Sequence, residues 1–137
     1  MLSKTKITGT LGELEVAQRL ISNGFDVFFP FGDCSYADLL AVKNGRTLMM
    51  QVKTVNQTSS GVVGVSATKW SQTHHKHRKY DSVHVDYIVC VALDRNRVAF
   101  IPMEKFQNAD SVSLRFEPAK NGQQAVHLFE AYENLPL

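Results

Sequence analysis

The chain has 137 residues, enough for one domain with its own core and too few for two ordinary ones. Its composition, 44% hydrophobic and 20% charged, is that of a soluble globular protein and excludes a chain too polar to bury a core. A formal charge of +2 and a pI near 8.6 favour a nucleic-acid partner only weakly.

The opening Met1-Leu-Ser-Lys-Thr-Lys6 lacks the apolar core of a signal peptide. The longest apolar run falls far short of the ~20 residues that span a bilayer, so a cytoplasmic protein is expected. Thr10-Leu-Gly-Glu13 then opens an amphipathic helix, predicted from residue 10 to about 24 through Leu14, Ala17, Leu20 and Ile21. Glu15 stands one turn before Arg19 and reads as a solvated i,i+4 pair. Glu13 shares the face of Ala17 and Leu20 and points toward whatever the helix packs on. Two readings of Glu13 stay open at this stage: the third position of a capping box on Thr10, or a chemical role.

Strands are predicted at 26–29, 37–42, 47–55, 85–93 and 98–101, which makes an α/β core. The centre of the pattern is Asn44-Gly45, a two-residue loop between apolar runs and the strongest short-range hairpin signal. It pairs residues whose numbers sum to about 89, which puts Asp38 opposite Gln51 with Lys53 as the diagonal neighbour on the same face. An acid, an amide and an amine then converge, as a cross-strand ion pair on a wet sheet face or as a metal and water site. Asp94-Arg-Asn-Arg97 is a second turn, so the last two strands form another hairpin.

Between the hairpins, residues 61–65 read as a short strand or a lip beside the site. The run Lys69-Trp-Ser-Gln-Thr-His-His-Lys-His-Arg-Lys-Tyr80 carries four formal positive charges, three histidines and no acid. Lys69, Trp70, Lys76, His77, Arg78 and Lys79 make it a candidate DNA-backbone stripe, the alternative being a solvated surface segment. His74, His75 and His77 lack the i,i+4 spacing and further ligands of a zinc site. Cys34 falls in a predicted loop, and Cys90 inside an apolar strand reads as a small buried hydrophobe. After Met103 a short helix at 104–106, a strand at 114–116 and a segment at 125–132 are expected at the periphery, closing a sheet edge or building an oligomer contact.

Taken together, Gly9-x-x-x-Glu13, Asn23-Gly24-Phe25, Ala37-Asp38, Lys43-Asn44-Gly45 and Gln51-Val52-Lys53 resemble the PD-(D/E)XK nuclease superfamily. Glutamine in place of the usual acid before the lysine, with 85–88 and 98–102 as following strands, resembles the homing endonucleases encoded in bacterial group I introns, and the archaeal Holliday-junction resolvases are also similar. The resemblance covers about residues 9–102. It implies a restriction-endonuclease-like fold, an N-terminal helix packed on a mixed central β-sheet, in a single nuclease domain over 1–137. The implied activity is Mg²⁺-dependent hydrolysis of DNA phosphodiester bonds, Mn²⁺ being a possible substitute. The implied catalytic residues are Glu13, Asp38, Gln51 and Lys53, and the implied ligands Asp38, Gln51, the Val52 carbonyl and Glu13. The implied partners are double-stranded DNA and further copies of the chain, as homodimer or homotetramer, with a site-specific double-strand break as the outcome. A resolvase acting on branched DNA and an inactive DNA-binding module of the same fold are the alternatives.

Overall fold

A computed structural model of the chain describes residues 1–32, 35–58, 61–71, 76–79, 84–107, 109–122 and 126–137, with the backbone alone described at 68–71 and 76–79. The helix α1 runs Lys4–Ser22 and is capped by Ser3, whose Oγ accepts from the Lys6 N–H at 3.3 Å. It therefore begins two turns earlier than the sequence pattern suggests. Thr10 lies inside the helix with its hydroxyl bonded to the Lys6 carbonyl at 2.9 Å, so the capping-box reading of Glu13 is overturned. The helix ends as expected, with Asn23 as C-cap and Gly24 at φ +84°, the left-handed conformation that glycine accepts without strain.

Five strands form the central sheet: β1 Asp26–Phe28, β2 Leu39–Lys43, β3 Arg46–Val55, β7 Tyr87–Ala92 and β8 Arg97–Pro102, side by side in the order β1-β2-β3-β7-β8. Only the β3–β7 pairing is parallel, so the sheet is mixed, and the crossover a parallel pair needs is supplied by the residues between them. That crossover contains β4 Val62–Ser66 and a hairpin of β5 Thr68–Ser71 with β6 Lys76–Lys79. Asn44 (φ 52°) and Gly45 (φ 73°) both have positive φ, as a two-residue primed turn requires. Every β2–β3 pair from Leu39↔Met50 to Lys43↔Arg46 keeps the expected register.

Buried side chains lie on both faces of the sheet. On one face Val16 and Leu20 of α1 pack with Leu39, Met50, Val52, Val89 and Phe100. Leu14 and Ile21, expected in this face, are instead 54% and 59% exposed. On the other face Ile88, Cys90 and Ile101 pack under β4 and its partner β9, Ser111–Arg115, joined by Phe129 and Tyr132 of a 3₁₀ turn. Residues after Met103, expected at the periphery, thus place Leu114 and Phe129 fully in the core, and β9 pairs with β4 rather than with a central-sheet edge. No helix among the described residues is long and apolar enough to cross a membrane.

Gly12 sets how closely α1 lies on β3. A Cβ added there would stand 1.8 Å from the Thr54 hydroxyl and 2.8 Å from Thr54 Cβ. A mid-helix glycine costs about 1 kcal/mol in helix propensity, and here close approach is what it provides. Gly12→Ala should therefore destabilise the fold by more than the 1–3 kcal/mol typical of overpacking, with partial recovery in Gly12→Ala/Thr54→Ala, as read by thermal or denaturant unfolding. Equal stability of Gly12→Ala and the parent would show that the two elements are not in this contact.

Candidate active site

The two neighbours of β3 are staggered along it. The β2 strand pairs with Arg46 to Met50, and β7 pairs with Met50 to Val55, so each edge of β3 is open over half its length. An aspartate stands at each opening. Asp86, just before β7, donates its backbone N–H to the Met49 carbonyl at 2.8 Å and accepts the Met49 N–H on its carboxylate at 2.7 Å. It replaces the ladder bonds that β7 begins too late to make.

Asp38, just before β2, occupies the equivalent place on the other side. Its backbone N–H donates to the Met50 carbonyl at 2.8 Å, and its Oδ2 accepts from the Val52 N–H at 2.8 Å and from Gln51 Nε2 at 2.6 Å. The sequence-derived facing of Asp38 and Gln51 is thus realised through their side chains. Because Gln51 Nε2 donates to the carboxylate, Oε1 of the same amide turns away, and it is buried with no hydrogen-bond partner. A buried carbonyl oxygen in that state costs roughly 1–3 kcal/mol unless something supplies positive charge to it. The N–H and C=O of one strand residue point the same way, so the Val52 carbonyl opens toward the Asp38 side as well.

Alternation along β3 sends Val52 into the α1 face and puts Gln51 and Lys53 with Met49 and Val55 on the opposite face. Glu13 comes from α1, half-buried, where Gly12 rests on Thr54, one residue beyond Lys53. Burial raises the Glu13 carboxyl above the ordinary glutamate range, and the negative charge of Asp38 raises it further. The two acids are therefore within electrostatic reach of each other.

These oxygens suit a hard divalent cation: one firmly held carboxylate, an orphaned amide oxygen, a strand carbonyl and a second acid whose repulsion by the Asp38 charge a cation would relieve. Among the described residues no three His, Cys, Asp or Glu side chains cluster as a metal group, in keeping with glutamine at the position of an acid.

The profile of the PD-(D/E)XK endonuclease family matches residues 3–135. The chain belongs to this family. As a PD-(D/E)XK protein it shares its fold with a bacterial homing endonuclease, I-Ssp6803I, at a TM-score of 0.72 and 21% identity, over 95% of this chain and 88% of that one. A search of curated proteins returns no match.

Other features of this PD-(D/E)XK chain were legible in part. Lys69, Trp70, Lys76, His77, Arg78 and Lys79 lie on the β5–β6 hairpin, with Lys69 opposite Arg78 and Trp70 opposite His77 in the backbone register. His74, His75 and Cys34 lie outside the described residues. Cys90 is fully buried, and burial pushes its thiol up to about 12, as a core hydrophobe requires. Sequence reasoning missed the Asp86 clamp, which depends on a parallel pairing distant in the chain. It also missed an apolar cleft of about 440 Å³ beside Asp38, lined by Phe29, Tyr36, Ala37, Leu40, Met49 and His84.

Two expectations follow. In the metal-free protein Glu13 should titrate above a free glutamate, and Asp38→Asn should bring it down, measured by side-chain carboxyl NMR. A group raised in the folded state stabilises the fold while protonated, so this contribution is present at low pH and is lost as pH rises through the raised value. An unmoved Glu13 in Asp38→Asn would separate the two acids. Asp86→Ala should cost roughly 1–3 kcal/mol of unfolding free energy by leaving the Met49 N–H without its carboxylate.

Proposed function

We propose that this chain is a metal-dependent DNA endonuclease that hydrolyses phosphodiester bonds at specific duplex sites, in the manner of a homing endonuclease. The observation that carries the reading is the buried, unpartnered Gln51 Oε1 beside an Asp38 carboxylate fixed by two donors. Family membership supports the endonuclease chemistry. The shared fold with a bacterial homing endonuclease, together with glutamine before the lysine, favours the site-specific reading over a junction resolvase.

In this mechanism Asp38, Gln51 Oε1, the Val52 carbonyl and Glu13 would hold the cation, Mg²⁺ or Mn²⁺. When bound, it supplies charge stabilisation to the phosphoryl oxygens and the leaving 3′ oxygen. Lys53 orients the attacking water and offsets developing negative charge. Gln51 Nε2 and the Val52 N–H keep Asp38 in one rotamer, so the carboxylate is ordered before substrate arrives. The basic hairpin residues Lys69, Lys76, Arg78 and Lys79 contact phosphates and give affinity and register without reading sequence.

A single small site cuts one strand, so a double-strand break calls for at least a homodimer, and a homotetramer would lengthen the footprint. Cleavage of long duplex libraries and of a synthetic four-way junction separates the readings. Discrete Lys53-dependent cuts in duplex are expected, and junction-selective nicking would make it a resolvase. Metal binding followed by calorimetry should vanish in Asp38→Asn and tighten by about tenfold or more in Gln51→Glu, since a charge replaces a dipole beside the cation. An unchanged affinity in Gln51→Glu would remove Gln51 from the site.

A further inference from the structure

The side of α1 turned away from the sheet carries a feature that the proposed reaction leaves unused. Ile7, Leu11, Leu14 and Ile21 are 43%, 50%, 54% and 59% exposed, and Gln18 fills the remaining step of the repeat. At 100° per residue these positions form one straight stripe, diametrically opposite Gly12, Val16 and Leu20, which face the sheet. From residue 7 to residue 21 the stripe is about 21 Å long. An α-helix apolar on two opposite sides is the pattern of one that is covered on both.

Charge and size indicate what covers the second side. No charged residue interrupts the stripe, which is the composition of an interface centre rather than of a solvated surface. The first turn of α1 bears Lys4 and Lys6 and no acid, which sets positive charge against the positive end of its own helix dipole. A second copy laid antiparallel about a twofold axis at Leu14 reverses this. Ile7 then meets the partner's Ile21, Leu11 falls between the partner's Leu14 and Gln18, and Lys4, at the edge of the stripe, lies beside the C-terminal, negative end of the partner helix. Arg19, the basic residue of that last turn, is already held by Glu15 at 2.9 Å and by the Asn96 carbonyl at 2.8 Å. A parallel pairing would instead align the two dipoles and set Lys4 against its own copy. The stripe exposes roughly 400 Å² of aliphatic surface per copy, the size of a functional patch and about half a standard interface, to which the flanking stems of Lys4, Thr10 and Gln18 add.

We infer that the Ile7–Leu11–Leu14–Ile21 stripe is the surface on which two copies of this chain pair, antiparallel and twofold, so that each pair carries two Asp38 sites. The pairing takes its purpose from the double-strand reading above, but its test does not depend on that reading. Sedimentation across a concentration series should give a dimer or a larger even assembly for the wild type, and a smaller species for Leu11→Glu/Leu14→Glu. Because both side chains are half-exposed, that variant should keep its circular dichroism and unfolding midpoint. In a Cys34→Ser background, Leu14→Cys should crosslink to itself with a short bismaleimide, Ile7→Cys alone should not, and Ile7→Cys mixed with Ile21→Cys should. A monomeric wild type, an assembly untouched by the double substitution, or self-crosslinking of Ile7→Cys without Leu14→Cys would overturn the assignment. If the double variant is monomeric and still nicks in a Lys53-dependent way, pairing and chemistry are separate. If nothing is cut while the masses behave as expected, the nuclease reading fails alone.

Discussion

The stagger of β2 and β7 on β3 is the constraint on which this structure turns. A ten-residue strand is paired on one edge up to Met50 and on the other from Met50 onward, which leaves backbone groups unpaired by strands at two places in the middle of the sheet. Such groups must be satisfied, and the chain answers both times with an aspartate at the start of the late or early strand. Asp86 completes the sheet on the β7 side and has a structural role. Asp38 does the same on the β2 side, but there the opening also carries Gln51, the Val52 carbonyl and, across α1, Glu13. One device thus yields a clamp at one edge and, at the other, an aspartate beside an amide oxygen that has no donor.

Glutamine at position 51 changes how this opening is held. An acid there would face Asp38 with like charge, and the pair would need a cation to be stable. The amide avoids that conflict: Nε2 donates to Asp38, and Oε1 is left as the acceptor that still lacks a donor. The site is therefore ordered without metal, at the expense of one negative charge beside any ion that binds. The close seat of Gly12 on Thr54 belongs to the same arrangement, because it sets the depth at which Glu13 is desolvated and feels Asp38.

What could be read from the sequence was what depends on short range. Asn44-Gly45 dictates its turn and register from two residues, and the facing of Asp38 with Gln51 follows by counting. The β7–β8 hairpin was legible for the same reason. The start of α1 was not, because Thr10 with Glu13 imitates a capping box while Ser3 is the true cap. Nor could periodicity tell which side of α1 packs on the sheet, since Leu14 and Ile21 continue a helical repeat as regular as that of Val16 and Leu20. The β4–β9 pairing and the Asp86 clamp join segments far apart in the chain, and no local pattern marks them. The orphaned Gln51 oxygen appears only once the side chains are placed.

The most direct test of the account is a crystal structure of the protein soaked with Mn²⁺, located by its anomalous scattering. The account predicts Mn²⁺ bound by Gln51 Oε1 together with Asp38, with the Gln51 Nε2 to Asp38 hydrogen bond kept. Mn²⁺ bound elsewhere, or a Gln51 Oε1 satisfied by a protein donor in the metal-free crystal, would contradict it.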